Sequence, residues 1–302
     1  MKIFVTGGTG FIGTHFIKKL QKTNHEICLL LLEDEQLPNN YSKNIKTISG
    51  NLSNINKWKD KLSIFSPDVV YHLAWMGIPD YSYKTSILNL KYGIDLFTTI
   101  AEIGCKSVIS TGTCWEYGRK KGLLNEDMTP ISDNSFTAAK NSLYSMGKEV
   151  FKENNINFIW TRLFYVYGPL QRSYSLLPHV ISRIMQGKKL EIKSPWNKND
   201  FIYISDVIDA LYLILEKCNN SYLFNVGSGK STSVNDIVTL VCDKFKYPYE
   251  PSQSLIFDDN IDFWADISKI KKIIGWEQKV TIKSGIEKMV DFYKNKTEIL
   301  AV

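Results

Sequence analysis

The sequence predicts an α/β protein built on a doubly wound parallel sheet, with a smaller, less regular α/β portion at its C-terminal end. Three observations carry this. Short, near-continuous apolar runs alternate with helical stretches through the first half of the chain, the pattern of strands buried on both faces with helices between them. The first such run, Ile3, Phe4 and Val5, leads into Gly7, Gly10 and Gly13 and then a helical stretch from Thr14 to Thr23. After Gly168 and Pro169 the rhythm changes to shorter, mixed elements.

Each element follows from its own pattern. Apolar runs predict strands over His25–Leu32, Ile45–Ile48, Asp68–Ala74, Ser107–Thr111 and Asn157–Phe164, and helical periodicity falls at roughly 55–65, 84–103 and 137–153. Beyond Pro169, Leu176–Gly187 reads as a helix, Leu190–Lys193 as a short strand and 195–199 as a polar turn. Phe201–Ile204 reads as a strand, Ser205 and Asp206 as the cap of a helix to about Lys217, and Phe224–Gly227 as a strand. Ser231–Ser233 precede a further helix. The expected organisation is a dinucleotide-binding domain over 1–168 plus about 196–226, a smaller substrate-binding domain over 169–195 plus 227–302, and a cleft between them.

The opening segment has a definite chemistry. A strand, a glycine turn and a helix N-terminus form the receptor for a dinucleotide pyrophosphate. Glycine permits the tight turn and the close approach of backbone to phosphate, and the helix end offers free N–H groups. The sheet is thus of Rossmann type, with ligands expected beyond the carboxyl ends of its strands, where Gly7, Leu73, Ala74 and Thr111–Thr113 converge.

Composition narrows the class. A chain of 302 residues, 44% hydrophobic and 23% charged, is ordinary for a globular enzyme. The net charge of +6 comes from scattered lysines, which suits small anionic ligands and not a nucleic-acid partner. Five cysteines without CxxC spacing and four histidines predict reduced thiols, no metal site and a cytoplasmic location. No apolar stretch approaches membrane-spanning length, so no membrane partner is expected.

Several motifs recur in order: Gly7-Gly-Thr-Gly-Phe-Ile-Gly13, His72-Leu-Ala74, Asn89, Thr111-Gly-Thr113 before Tyr117-Gly118, Lys140, Arg162 with Tyr167-Gly-Pro169, and Asp200-Phe-Ile-Tyr-Ile-Ser-Asp206. Asn225-Val-Gly-Ser-Gly229 and Trp264-Ala-Asp266 follow. Together they resemble the extended short-chain dehydrogenase/reductase family, the nucleotide-sugar epimerases, dehydratases and ketoreductases, over essentially the whole chain. The resemblance implies a cofactor site at Gly7, Thr9, Gly10, Phe11, Ile12, Gly13, Glu33, Asn51, Leu52, Leu73, Ala74, Asn89, Thr111, Lys140 and Phe164. It also implies hydride transfer at a sugar carbon, with Thr113 holding the sugar oxygen and Lys140 binding the nicotinamide ribose. A homodimer through the 84–103 and 137–153 helices is implied in the same way.

The family's proton-transferring Tyr stands four residues before its Lys, on one helix face. Here that position holds Phe136. Tyr144 and Lys148 form an alternative pair, but the family's spacing from Lys to Gly-Pro is about 29 residues, which is Lys140 to Pro169; Lys148 to Pro169 is 21. The Phe136/Lys140 register is therefore preferred, and the expectation is an inactivated Tyr-to-Phe form. A natural enzyme with another proton donor, and a pseudoenzyme that binds dinucleotide and sugar nucleotide without turnover, stand beside it.

The related dehydratases carry Asp-Glu after the active-site Thr; Cys114 and Trp115 stand here and cannot do that acid–base work. A 3,5-epimerase/reductase reading leans on Cys114 and His179, the first one position out of register. The remaining Thr and Lys set suits a 4-ketoreductase making a deoxysugar nucleotide for surface polysaccharide, with a 4-epimerase as the alternative. Trp75, Trp115 and Tyr165 offer faces for a less polar hexose, and Arg172 and His179 complete the substrate candidates. Glu33, Asp34 and Glu35 would repel a 2′-phosphate, so NAD is preferred to NADP, which stays possible. The usual diphosphate-binding arginines are replaced by Asn199 and Ile256, which leaves the nucleotide of the sugar partner open.

Overall fold

The structure, a computed structural model, describes residues 1–42, 44–251 and 261–300. In chain order the elements begin β1 (Lys2–Thr6), α1 (Phe11–Leu20), β2 (Glu26–Leu31), β3 (Lys46–Ser49), α2 (Lys59–Phe65), β4 (Val69–His72), α3 (Tyr83–Ile103) and β5 (Ser107–Thr113). Then come β6 (Gly122–Leu124), α4 (Ser135–Glu153), β7 (Asn157–Leu163), β8 (Tyr165–Tyr167), α5 (Leu176–Met185), β9 (Lys198–Asn199), β10 (Phe201–Tyr203) and α6 (Ile204–Lys217). The chain ends with β11 (Tyr222–Val226), β12 (Thr232–Ser233), α7 (Val234–Phe245), β13 (Phe263–Ala265), α8 (Ser268–Ile274) and α9 (Ile282–Leu300). It divides into two compact units: Met1–Arg119, Glu126–Leu163 and Leu211–Phe224 make the first, Lys120–Asn125, Phe164–Ala210 and Asn225–Val302 the second.

The expected Rossmann-type sheet is present, with strand order β11-β7-β5-β4-β1-β2-β3. Every pairing from β7 across to β3 is parallel. The chain winds outward through β2 and β3, then returns to the other side of β1 and continues through β4, β5 and β7. Strand order therefore reverses between β1 and β4, where such sheets bind ligands outside the carboxyl ends. Register aligns those ends: Thr6 lies opposite His72, and His72 opposite Ser110. Under one face, Phe97 of α3 and Phe151 of α4 pack on Phe158 of β7 at 5.5 and 5.2 Å between ring centroids. Gly93 and Gly147 let α3 and α4 close in, since a Cβ on either would fall 2.7 Å from a neighbouring side chain.

Among the described residues, the second unit contains three two-stranded pairs, β8 with β10, β9 with β12, and β6 with β13. Asp200 joins two of them. Its buried carboxylate accepts N–H bonds from Ser228 (2.6 Å), Gly229 (2.9 Å) and Ala265 (3.0 Å). Residues 164–210, Asp200 among them, belong to this unit.

Two local expectations are corrected. Leu190–Lys193 forms no strand; the carbonyl of Lys189 is taken by the Arg183 guanidinium, and the strand pairing falls instead on Lys198–Asn199 against Thr232–Ser233. Ser205 and Asp206 do not cap α6, which starts at Ile204 directly from β10. The Asp206 carboxylate instead accepts the amides of Lys279 (3.3 Å) and Val280 (2.9 Å).

Candidate active site

The glycine loop has the shape of an anion cradle. Gly7 has a φ of 73°, a left-handed conformation that disfavours side chains. A Cβ there would sit 2.7 Å from the Ala74 nitrogen, and one on Gly13 would sit 2.0 Å from the Gly7 carbonyl oxygen. The loop is thus pressed onto Leu73 and Ala74, bringing those predicted residues together. The N-cap of α1 is Gly10, no side chain caps it, and its first turn carries no acid. The amides around Phe11, Ile12 and Gly13 therefore face outward at the positive end of a helix, which fits a dinucleotide pyrophosphate. Thr9 supports the turn by accepting the Thr14 hydroxyl at 3.1 Å, and Tyr41 donates to the Gly8 carbonyl at 2.8 Å.

The outer cofactor candidates lie where β2 and β3 end. Glu33 and Asp34 are exposed, while Glu35 turns back to accept the Leu32 amide at 3.3 Å. Asn51 caps the turn Leu52–Lys57 by accepting from the Ser53 amide at 2.9 Å. Asn89 is buried and fully engaged. Its amide oxygen accepts the Met76 N–H at 2.7 Å, and its nitrogen donates to the carbonyls of Met76 (3.0 Å) and Thr85 (2.8 Å). It holds the loop between β4 and α3.

The catalytic candidates converge beyond β5. The Thr113 amide donates to Glu116 Oε1 at 2.8 Å, and Thr113 Oγ1 accepts the Trp115 amide at 3.3 Å, a reciprocal cap. Glu116 is completely buried and also receives Arg162 Nε at 2.8 Å and Trp160 Nε1 at 3.1 Å. Lys140, buried on α4, donates to the Thr111 carbonyl at 2.8 Å and stands 3.8 Å over the Trp75 ring. Burial pushes its ammonium down to about 7, against the opposing charge of Glu116. Burial, with Lys140 nearby, also pushes His72 down to about 3. That imidazole is neutral and shares a 2.8 Å hydrogen bond with the Thr6 hydroxyl.

Phe136 is buried one turn before Lys140. Its ring meets Trp75 at 5.5 Å, Tyr81 at 5.0 Å and Trp115 at 5.9 Å. Tyr144 points elsewhere, packing on Phe158 (6.2 Å) and Trp160 (5.6 Å), while Lys148 is exposed. In the second unit, Phe164 lies 6.1 Å from Phe263, and Tyr165 lies 5.5 Å from Phe201. Arg172 and His179 are exposed there. Asn199 is buried, and Ile256 lies outside the described residues. Among those residues no His, Cys, Asp and Glu group is placed to hold a metal, and no helix is long and apolar enough to cross a membrane.

Sequence reasoning passed over Glu116 and Tyr81. Glu116 carried a readable signal, because Thr113-Cys-Trp-Glu116 has the spacing of a capping box. Tyr81 had none, since only the folded loop brings it to Phe136.

Comparison with known proteins agrees with this fold. A model of the NAD dependent epimerase/dehydratase family matches residues 3–227. The chain is 26% identical to GDP-6-deoxy-D-talose 4-dehydrogenase of Aggregatibacter actinomycetemcomitans, over all of both chains. It is 25% identical to a trifunctional UDP-glucose 4,6-dehydratase/3,5-epimerase/reductase of Arabidopsis thaliana, across 98% of this chain but only 47% of that longer protein. Among solved structures, UDP-glucose 4-epimerase of Thermotoga maritima with UDP-glucose superposes with a TM-score of 0.88 at 25% identity, covering 98% of this chain and all of the other. UDP-glucuronic acid 4-epimerase of Bacillus cereus, bound to UDP-glucuronic acid and NAD, superposes with a TM-score of 0.87 at 25% identity and the same coverage. The chain therefore belongs to the NAD dependent epimerase/dehydratase family of extended short-chain dehydrogenase/reductase enzymes.

Proposed function

We propose that the chain is an NAD-dependent nucleotide-sugar 4-ketoreductase, producing a deoxysugar nucleotide for surface polysaccharide. The observation that carries this reading is the neighbourhood of Phe136, where Trp75, Tyr81 and Trp115 surround the position of the family's proton donor. Aromatic faces favour the C–H face of a less polar hexose over one ringed with hydroxyls. Cys114 and Trp115 supply no carboxyl group for dehydration. The similarity to a 6-deoxysugar-nucleotide 4-dehydrogenase points the same way.

When bound, the reduced nicotinamide supplies the hydride. The chain's own residues do the rest. The α1 N-terminus receives the pyrophosphate, Lys140 presents its ammonium to the ribose, and Thr113 holds the sugar oxygen. Exposed Glu33 and Asp34 disfavour a 2′-phosphate, hence NAD over NADP. Residue 136 contributes shape without a proton, and loss of such a group slows catalysis about 10²–10⁴-fold. The two 4-epimerases of like fold support a second reading, reversible oxidation at the same carbon. The expected dimer would use α3 and α4, whose Ile87 and Met146 are exposed, and five unbridged cysteines suit the cytoplasm.

The test offers Phe136→Tyr protein 4-keto-6-deoxy sugars linked to CDP, GDP, UDP or dTDP. Consumption of reduced nicotinamide with one of them is expected. No absorbance change with any would sink the reading.

A further inference from the structure

We propose that Tyr81 supplies the phenolic proton that position 136 lacks. This rests on the 4-ketoreductase reading and replaces the expectation of an inactivated chain with that of an enzyme whose acid has moved. The first argument is proximity. Tyr144, half-buried, has its ring on Phe158 and Trp160. Tyr117 is fully buried beneath the Arg162 guanidinium, 4.4 Å from its ring. Tyr81 is half-buried and has its ring 5.0 Å from Phe136 and 5.1 Å from Trp115.

The second argument is support. A proton donor must be held in place before the substrate arrives. Tyr81 lies on a loop fixed at both ends: Asn89 binds Met76 and Thr85, and the adjacent Asp80 carboxylate accepts from the Ser82 amide at 2.9 Å and from the Thr85 hydroxyl. The Asp80 amide donates back to the Gly77 carbonyl at 2.7 Å. The third is the local charge. Lys140 stands over Trp75, and Trp75 abuts Phe136, so a cation belongs to the cluster in which a phenolate would form.

The step balances. The ketone carbon takes a hydride from a reduced nicotinamide dinucleotide, and the carbonyl oxygen, gaining the π electron pair, takes the proton of Tyr81 Oη. The alcohol leaves, and solvent water returns a proton to the phenolate.

The experiment compares the unaltered holoenzyme with Tyr81→Phe, Phe136→Tyr and the double variant, using the same 4-keto-6-deoxy nucleotide sugars. Tyr81→Phe is expected to lower kcat about 10²–10⁴-fold, and Phe136→Tyr to restore most of that loss in the double variant. A binding readout stands apart from turnover: tryptophan fluorescence titration with a 4-hydroxy sugar nucleotide and its 4-deoxy analogue. The unaltered chain should prefer the hydroxylated ligand about tenfold, and Tyr81→Phe should lose that preference. Equal kcat in Tyr81→Phe, an unchanged preference, or binding without turnover in the unaltered chain overturns the assignment alone. Absence of both binding and turnover in the unaltered chain and in Phe136→Tyr overturns the ketoreductase reading as well.

Discussion

Glu116→Gln tests the foundation of the site, because one carboxylate there serves three donors. Glu116 and Arg162 have side chains 0% and 1% exposed, with 2.8 Å between Oε2 and Nε. The same carboxylate receives the Thr113 amide at 2.8 Å and Trp160 Nε1 at 3.1 Å. A glutamine keeps one acceptor oxygen but turns an NH2 group toward donors, so a buried N–H loses its partner and the Arg162 charge loses its counterion. Removing one member of a buried ion pair costs about 3–5 kcal/mol. For a unit of this size that lowers Tm by roughly 6–20 °C. Thermal unfolding followed by tryptophan fluorescence reads it. The double variant Glu116→Gln/Arg162→Met should recover at least about 2 kcal/mol, since no uncompensated charge remains. A loss below about 1 kcal/mol in Glu116→Gln, or no recovery in the double variant, would refute the reasoning. The substitution also acts on the chemistry. Glu116 opposes the effect of burial on Lys140, so its removal should move the alkaline limb of the activity profile to lower pH.

Two further outcomes follow from the same geometry. Lys140 titrates near 7 when folded and near 10.5 when unfolded, so between those values the unfolded chain holds the extra proton and stability rises with pH by at most about 5 kcal/mol. Lys140→Met should therefore be the more stable protein below pH 7 and lose that advantage as pH climbs to 10.5; urea titrations showing a pH-independent difference would contradict the burial argument. Gly13→Ala places a methyl 2.0 Å from the Gly7 carbonyl oxygen, and calorimetry should find NAD affinity reduced more than about tenfold, whereas unchanged binding would show that the cradle does not hold the pyrophosphate.

What was legible in the sequence was what is local. The glycine turn reads directly because its strand, loop and helix are contiguous, and apolar runs predicted the sheet because strands covered on both faces admit little else. The register of α4 rests on spacing. Counting to Pro169 selects Lys140; on α4 Phe136 and Lys140 are buried, Tyr144 packs on Phe158 and Trp160 of β7, and Lys148 is exposed. Pairing Tyr144 with Lys148 would require stripping the former from Phe158 and Trp160. The ends of short elements were not legible, because the strand expected at Leu190–Lys193 depended on a partner that only folding assigns. The same holds for the two most consequential neighbours. Glu116 finds Arg162 across 46 residues, and Tyr81 meets Phe136 from a loop that Asn89 ties at Met76 and Thr85. Both are long-range encounters whose partners no periodicity encodes, and both act on a site whose local motifs are plain. Phe136, at the position where the resemblance places a Tyr, thus has as its neighbour a side chain that no motif contains.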